Sequence, residues 1–356
     1  MRANALHVWE HQYILDLSNF ITFAIPLIFI GLTIYIANRD DLIGQRSSLL
    51  YGVWLTILSG CALAGSSIFS VLMGITDNPE TQQVDTFQVL VSIVAILFLL
   101  TAGFMLATSS DKGLVLKRWI GQTGTYNPSS SVHQTAVILA LALMIITLIE
   151  IPLSGGTQGI AESYAERGVS FAEVIFNQVI YLFFTLMGIG LFFRRTLQQA
   201  VQRLGLRWPT FQDIVIGGGV GFLMVLMVYA FNLVFVQVVP SETYESQSAA
   251  SEALTGVFST IQLAFLGSVL ISIGEEIFFR GAITPVFGNV FTSIFFVLLH
   301  VQYAFSPSVL ILFIVSLAFG HLRLKYSTTT AIVAHFVYNF TQLALAIFVA
   351  QMLAGS

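Results

Sequence analysis

The sequence predicts an all-α protein, a polytopic transmembrane bundle of about ten helical spans. Three observations lead to this fold class: a high apolar content, a low charge content, and the length of the apolar runs. Of the 356 residues, 56% are hydrophobic and 9% are charged, whereas soluble globular chains average about 25% charged residues. The apolar runs are too long and too numerous for buried core helices, because a helix needs about 20 apolar residues to cross a bilayer.

Ten apolar segments are long enough to be candidate spans. In chain order they cover residues 18–37, 49–74, 87–108, 132–153, 171–193, 212–238, 257–279, 289–304, 308–322 and 328–352. The eighth and ninth are short, and Pro307 between them supplies a helix break. No removable signal peptide is expected, because the N-terminus lacks a basic region followed by a short apolar core.

The basic residues predict how the spans are oriented. Twelve of the 14 Lys and Arg residues fall in one set of alternate loops, while the other set and the termini hold only Arg2 and Arg167. Because cytoplasmic loops are enriched in Lys and Arg, both termini are expected outside, in a plasma membrane that we expect to be bacterial. Topology accounts for the basic loops, so no nucleic-acid partner is expected.

The longest basic connection runs from Arg194 to Arg207 and is followed by Pro209, which breaks the preceding helix. This connection predicts a module boundary near residue 205. Residues 1–204 are expected to form an N-terminal accessory transmembrane region of about five spans. Residues 205–352 are expected to form the functional core, also of five spans.

The first span of the core carries two local patterns. Thr210 and Asp213 resemble a capping pair at its start. Gly217 and Gly221 lie one helical turn apart, and such a pair lets the backbone of a neighbouring helix approach closely. We therefore predict tight helix packing at this point.

Polar side chains cluster within three of the C-terminal spans. Ionisable groups at bilayer depth cost several kcal/mol unless they are paired or hydrated, so their default interpretation is a functional site. The candidate site residues are Glu275, Glu276 and Arg280 on the seventh span, His300 on the eighth, and His335 and Asn339 on the tenth. Each one taken alone also has a structural interpretation, as an ion pair, a buried histidine or a helix-to-helix contact.

Spacing suggests a role for each residue of the seventh span. Glu276 and Arg280 stand at positions i and i+4 with the acid first, which is the favourable order for an ion pair on a helix. Glu275 is rotated by about 100° from Glu276, so Arg280 neutralises it less. An acid of this kind suits general acid or base catalysis.

The other two spans supply imidazole and amide groups. His335 and Asn339, at i and i+4, share one helix face and could donate to a developing oxyanion. His300 could orient a water molecule against Glu275. Because Glu275 ends one span and His300 lies deeper in the next, residues 281–288 are expected to be a connecting segment.

These residues form three motifs that together resemble a known family. The motifs are Glu275-Glu276-x-x-x-Arg280, Phe296-x-x-x-His300 and His335-x-x-x-Asn339. Their order and spacing are similar to the CAAX prenyl endopeptidase family. In bacteria this family is the CPBP group of CAAX proteases and bacteriocin-processing or self-immunity (Abi-type) proteins. Gly281 and the segment Leu206-Arg207-Trp208-Pro209-Thr210 also look like this group. The resemblance covers about residues 205–350.

The resemblance implies an intramembrane endopeptidase that cleaves a membrane-associated or lipidated protein or peptide near its C-terminus. It implies that Glu275 and His300 activate water, that His335 and Asn339 stabilise the oxyanion, and that Arg280 positions the glutamates. With the predicted topology, the site is expected to open towards the cytoplasm. The sequence carries no signal for an oligomeric state.

The metal requirement stays open at this point. Glu275, His300 and His335 with one water molecule could satisfy a catalytic zinc site, which takes three protein ligands and an open position. The pattern is not the His-Glu-x-x-His helix of soluble zinc proteases, and we expect no obligatory metal.

Two functions of other classes compete with proteolysis. One is a non-catalytic membrane partner, such as an immunity or chaperone-like protein, although binding alone does not need water-activating geometry. The other is a transporter with an intramembrane proton relay, which is expected to contain paired broken helices and internal repeats. No such repeat is visible in the sequence.

Overall fold

The computed structural model of the protein describes residues 24, 27–45, 124–153, 156–303 and 306–354. Every regular element within these residues is a helix, which confirms the predicted all-α fold. The helices are α1 (27–43), α2 (Ser131–Leu153), α3 (Gly156–Arg167), α4 (Phe171–Gly188), α5 (Leu197–Leu204), α6 (Phe211–Val238), α7 (Ser241–Thr255), α8 (Ile261–Glu275), a π-helix (Glu276–Ile283), α9 (Thr284–Leu298), a 3₁₀ turn (Val301–Tyr303), α10 (Ser308–Lys325) and α11 (Thr328–Ala354).

Five helical segments in the described residues are long and apolar enough to cross a membrane, as in an integral membrane protein. They are Phe171–Gly188, Phe211–Val238, Ile261–Leu298, Ser308–Lys325 and Thr328–Leu353. Each overlaps one or two of the predicted spans. The predicted spans 49–74 and 87–108 lie outside the described residues, so the total of ten stays a prediction.

Charged side chains gather at two opposite ends of the helical bundle. We call one the basic end; its members are Arg194, Arg195, Arg203, Arg207, Arg323 and Lys325. The acidic end consists of α3 and α7, which pack against each other and against the 3₁₀ turn. The two ends are separated by the length of α6, whose 28 residues extend about 42 Å.

The helices α3 and α7 differ from the loops expected in these places. Both sequences are too polar to cross a membrane, which is why the hydropathy pattern places loops there. Their Ala, Glu and Gln residues nevertheless have high helix propensity. The two polar helices therefore form outside the apolar spans and make up the acidic end.

Two strongly exposed aromatic side chains lie at the basic end. Trp208 is 92% exposed and Phe211 is 81% exposed, and both follow Arg207 closely in the chain. Aromatic residues next to basic ones are typical of a membrane interface. This placement indicates where the polar surface of the bundle meets its apolar surface.

Close packing between α6 and α11 confirms the prediction from the two glycines. A Cβ atom on Gly217 would lie 2.6 Å from the carbonyl oxygen of Thr330, and one on Gly221 would collide with the carbonyl oxygen of Ala334. Only glycine permits this approach. Since Ala334 precedes His335, this contact fixes the depth of His335 in the bundle.

Asp213 joins the starts of α6 and α11. The predicted capping pair is present: the Thr210 side chain accepts from the Asp213 amide, and the Asp213 carboxylate accepts from the Thr210 amide at 2.9 Å. The same carboxylate, 1% exposed, also accepts from Arg207 at 2.7 Å and from the Thr330 hydroxyl. One buried acid therefore aligns the two helices whose glycines make the close contact.

The predicted connecting segment at 281–288 is wrong. The π-helix continues helically into α9, and the backbone leaves helical geometry only at Gly288, where φ is 79° and ψ is 167°. These angles are open essentially to glycine alone. A single glycine therefore makes the bend for which a loop was predicted.

Aromatic contacts demonstrate that the chain reverses at Gly288. The rings of Phe279 and Phe296 lie 5.0 Å apart, centroid to centroid. On a straight helix, positions this far apart in sequence would be separated by about 25 Å. The stretch after Gly288 therefore packs back, antiparallel, on the stretch before it.

Candidate active site

A buried ion pair lies at the centre of the C-terminal helices. Arg280 Nη1 donates to Glu276 Oε1 at 2.9 Å, and both residues are 0% exposed, so the ion pair predicted from their spacing is present. Arg280 Nη2 donates to the Ser316 hydroxyl at 2.9 Å, and the guanidinium carbon lies 4.6 Å from the centroid of the Phe296 ring. A buried charge needs such partners, because desolvation alone is costly.

Pro285 explains why two more arginines attach to this helix. Proline has no N–H, so backbone carbonyls one turn earlier lose their helical donor. The carbonyl oxygen of Arg280 accepts from Arg323 Nε at 3.2 Å, and that of Gly281 accepts from Arg203 Nη1 at 3.1 Å. The π-helix, a rare form found mostly at functional sites, is thus tied to the basic end.

His335 makes a contact that spacing alone did not predict. Its Nδ1 lies 2.8 Å from Glu276 Oε1, and the residue is 4% exposed. Because an ionised carboxylate can only accept, Nδ1 carries the proton and donates it. The ring also packs on Phe319, with 5.3 Å between centroids, so its orientation is fixed.

The reversal at Gly288 sets the position of His300. Phe279 faces Phe296 across the bend. Glu275 lies one turn before Phe279 and His300 lies one turn after Phe296. Glu275 and His300 therefore face each other as well. His300 Nδ1 lies 2.7 Å from the carbonyl oxygen of Phe296 and therefore donates to it. In the neutral ring, Nε2 then has a free lone pair.

Glu275 differs from its neighbour Glu276 in its surroundings. It is half-buried, whereas Glu276 is 0% exposed. The Oε2 atoms of both acids are shielded from solvent and have no hydrogen-bond partner among the described residues. Glu275 is also close enough to His300 and Tyr181 for electrostatic interaction. An unsatisfied buried carboxylate oxygen is costly unless another group or a water molecule occupies the position.

One cavity of about 970 Å³ brings four of the six predicted site residues together: it is lined by Glu275, His300, His335 and Asn339. The other two, Glu276 and Arg280, are not among its lining residues. They lie behind Glu275 and His335 and hold His335 in place. The structure thus divides the predicted set into residues that a ligand can reach and residues that support them.

Residues of the region before 205 also line this cavity, and none of them was predicted from the sequence. Gln178 and Tyr181, on α4, both line it. Gln178 packs on Gly274, where a Cβ atom would come within 3.1 Å of its Cδ. Asn177, Gln178 and Tyr181 are polar residues in an otherwise apolar span, and that pattern was the available signal.

The three candidate zinc ligands do not fit a metal ion in this arrangement. Among the described residues, no three His, Cys, Asp or Glu side chains are grouped so that they could hold a metal. Each of the two histidines makes its hydrogen bond through Nδ1, His335 to Glu276 and His300 to the Phe296 carbonyl, and keeps Nε2 available.

Comparison with known proteins finds one segment of the chain that matches a protein family. Residues 257–341 match the family model of the type II CAAX prenyl endopeptidases, Rce1-like. All three sequence motifs fall inside this segment, and the match confirms the predicted resemblance, over a shorter range than 205–350. No curated protein and no solved structure matches the chain.

Proposed function

From the Rce1-like type II CAAX prenyl endopeptidase domain at residues 257–341, we propose that this integral membrane protein is a CAAX-type intramembrane endopeptidase. It hydrolyses a peptide bond in a membrane-associated or lipidated protein or peptide. The observation that carries the proposal is the convergence of Glu275, His300, His335 and Asn339 on one cavity within apolar helices. These are the group types that peptide hydrolysis needs: proton acceptors for water and donors for an oxyanion.

Glu275 and His300 activate the water molecule. Glu275 Oε2 has no hydrogen-bond donor among the described residues, and Nε2 of the neutral His300 ring is an acceptor because Nδ1 donates to Phe296. A water molecule between them donates one hydrogen bond to each acceptor. Its lone pair is then directed at the substrate carbonyl carbon, and Glu275 removes a proton as the C–O bond forms.

His335 and Asn339 stabilise the oxyanion. The Asn339 amide donates directly. His335 Nε2 donates only when the ring is an imidazolium, because Nδ1 already carries the proton that Glu276 accepts. The Glu276 carboxylate orients the ring through its bond with Nδ1, and Arg280 holds the carboxylate in position.

The intermediate then collapses towards products. The C–N bond breaks, and the proton taken up by Glu275 passes to the leaving amine. The water oxygen and its second proton stay on the carbonyl carbon, so the immediate product is a carboxylic acid, which loses this proton to bulk water. The same residue acts first as a base and then as an acid, which suits a carboxylate with no fixed protein donor.

We propose that the basic end faces the cytoplasm and that both termini lie outside. Arg194, Arg195 and Arg203 lie at this end and also line the cavity, and cytoplasmic loops are enriched in Arg and Lys. The cavity is also lined by Tyr164, Leu254 and Thr255 of the acidic end, so its proposed opening towards the cytoplasm rests on the charge pattern of the loops. A bacterial plasma membrane is the proposed location.

The test compares membrane proteomes of cells that express wild-type protein, Glu275→Ala, His300→Ala, or the double variant. Wild-type cells are expected to contain new C-terminal ends that are missing with all three variants, at equal amounts of inserted protein. Glu245→Ala is the matched control, because Glu245 is an exposed acid outside the cavity. Wild-type turnover in the double variant would refute the protease. A cellular phenotype that survives both substitutions would favour the non-catalytic partner.

A further inference from the structure

The cavity continues past the proposed catalytic residues towards the acidic end. On α11 it is lined by His335, Asn339 and Gln342, and Gln342 lies seven residues after His335, which is about 10 Å along a helix. The helix α11 begins at the basic end, where the Thr328 amide donates to the Gly205 carbonyl at 3.0 Å. The direction from His335 to Gln342 therefore leads towards the acidic end.

The walls of this part of the cavity are polar, and we call it the outer vestibule. Its four side chains are uncharged and half-buried, and each one lines the cavity: Gln302, Tyr303, Tyr338 and Gln342. Tyr303 and Tyr338 are close enough to interact electrostatically, so the 3₁₀ turn and α11 contribute to one group. An acyl or prenyl chain placed here would strip water from hydroxyl and amide groups without replacing their hydrogen bonds, which is costly.

The polar helices α3 and α7 lie over the outer vestibule. Tyr164 of α3 and Thr255 of α7 line the cavity, and the side chain of Tyr303 interacts with Ser251 of α7. Both helices also pack on the 3₁₀ turn that follows His300. Because the cavity is lined by residues of both ends of the bundle, a membrane protein that keeps ions from leaking needs a cover at one end, and α3 and α7 provide it.

This cover is lightly attached to the bundle. Among the described residues of its two helices, the buried apolar side chains are only Ile160, Ala161 and Ala250. The helix α3 lies between Gly156 and Gly168, whose φ angles are 77° and 70° and which have open space where a Cβ atom would be. Elements with few buried apolar contacts open at a low free energy. The cover can therefore move without disturbing the apolar helices.

We propose that the outer vestibule binds an extended, uncharged segment of a polypeptide substrate that enters from the acidic end beneath α3 and α7. This inference rests on the proposed function, because it takes Glu275 as the position of the cleaved bond. An extended peptide at bilayer depth has N–H and C=O groups without partners, and each of them is costly. The amide and hydroxyl groups of the vestibule both donate and accept, so they can pair with such a backbone. None of the four carries a charge that would attract a lipid headgroup.

The first experiment determines the side from which the vestibule is reached. Full-length protein with Cys61→Ser, which removes its one cysteine, and with Glu275→Gln carries Gln342→Cys in sealed vesicles. A membrane-impermeant methanethiosulfonate is added to one side at a time. Glu245→Cys and Lys325→Cys, at exposed positions of the acidic and basic ends, mark the two sides. Gln342→Cys is expected to react from the side on which Glu245→Cys reacts. Reaction only from the other side, or none in folded protein, would overturn the proposal.

The second experiment tests for peptide in the vestibule without turnover. An S-farnesylated peptide of uncharged residues is expected to protect Gln342→Cys from the reagent. The same peptide with N-methylated backbone amides is expected to bind about tenfold more weakly, because it has lost hydrogen-bond donors. Farnesol alone is expected to give no protection. Equal protection by farnesol would assign the vestibule to lipid, and absence of protection by any probe would leave it to water; either result would contradict the proposal.

Variants then locate the binding groups and separate this inference from the protease. Tyr303→Phe and Gln342→Met are expected to raise KM severalfold, with kcat unchanged, on a peptide that the wild-type protein cleaves. Tyr244→Phe is the matched control, because Tyr244 is at the acidic end but does not line the cavity. An unchanged KM in both variants would refute the vestibule as a peptide site. Protection of Gln342→Cys by the peptide, without cleavage by wild-type protein, would refute the catalytic function and support the vestibule.

Discussion

His335 on α11 donates a 2.8 Å hydrogen bond from Nδ1 to Oε1 of Glu276 on the π-helix, although the two residues are 59 positions apart in sequence. The same oxygen accepts from Arg280 at 2.9 Å. A carboxylate with no exposure thus links an arginine that does not line the cavity to a histidine that does. Glu276 is therefore a positioning residue, and its effect on the reaction passes through His335.

Removal of Glu276 is expected to destabilise the protein severely. Glu276→Ala leaves the Arg280 guanidinium buried without its counter-charge, and breaking one side of a buried pair costs about 3–5 kcal/mol. Glu276→Gln, which keeps an acceptor but loses the charge, is expected to cost less and to retain the fold. Thermal unfolding in detergent, followed by fluorescence-detected size exclusion, measures both variants.

The control for that series is Glu245→Ala, which removes an exposed acid at the acidic end. Its unfolding temperature is expected to stay within experimental error of wild type, because surface substitutions change stability little. If Glu276→Ala unfolds at the same temperature as Glu245→Ala, the buried ion pair contributes nothing measurable and the assignment of Glu276 as a supporting residue is wrong.

Gly288→Ala is expected to move Glu275 and His300 out of the positions in which they face each other. An alanine residue with the backbone angles of Gly288, φ 79° and ψ 167°, would be strained by about 1–3 kcal/mol. The chain is therefore expected to bend elsewhere and shift His300. Cleavage is expected to fall at least tenfold, measured as the rate per folded molecule on a lipidated peptide that the wild-type protein cleaves.

Gly219→Ala is the matched control for Gly288→Ala. Gly219 lies within α6, has ordinary helical φ, and has open space where a Cβ atom would be. Alanine has the higher helix propensity, so the change is expected to leave cleavage intact and to stabilise the protein by about 0.5–1 kcal/mol. Equal activity of the two variants would contradict the importance of the reversal at Gly288.

The contact between Gly274 and Gln178 predicts a rescue between two regions of the chain. Gly274→Ala adds a methyl group that would clash with the Gln178 side chain and displace the adjacent Glu275. We expect lower cleavage activity in Gly274→Ala and recovery in the double variant Gly274→Ala with Gln178→Ala, where space is restored. Rates from a double-mutant cycle measure the coupling.

Additive effects of those two substitutions would argue against the contact. A positive coupling would establish that α4, which lies before the predicted boundary at residue 205, supports the site next to Glu275. The predicted division into residues 1–204 and 205–352 would then describe the chain order but not an independent functional unit.

Chelation is expected to leave the cleavage activity unchanged. The described residues contain no three-ligand group for a metal ion, and in the proposed reaction Glu275 and His300 activate the water molecule. Purified protein is treated with a membrane-permeant chelator, and metal content is measured on the same sample. One tightly held zinc ion per chain, with loss of cleavage on its removal, would overturn this expectation.

Several features of the site could be predicted because they depend on local spacing. The ion pair of Glu276 and Arg280 and the cap formed by Thr210 and Asp213 involve residues three or four positions apart. On a helix such residues are neighbours whatever the tertiary fold. The close approach at Gly217 was predictable for a similar reason, since small residues one turn apart favour one kind of packing.

Other features could not be predicted because they join distant parts of the chain. The bond between His335 and Glu276 and the contact of Gln178 with Gly274 depend on which helices are neighbours, and hydropathy does not specify that. The connecting segment at 281–288 was mispredicted because a loop was expected to account for the different depths of Glu275 and His300, and Pro285 and Gly288 permit one. Proline is tolerated in the first turn of a helix, so only Gly288 breaks the geometry.

By itself, the sequence determined the all-α membrane fold, the separation of basic from acidic loops, and the three motifs that match the Rce1-like domain. Composition and periodicity suffice for these, because the bilayer requires apolar helices and each motif lies on one helix. Only the tertiary structure decided that Glu275 and His300 face each other across the bend at Gly288. It also decided that Glu276 supports His335 and that Arg195 and Arg203 border the cavity, since each of these depends on packing between helices.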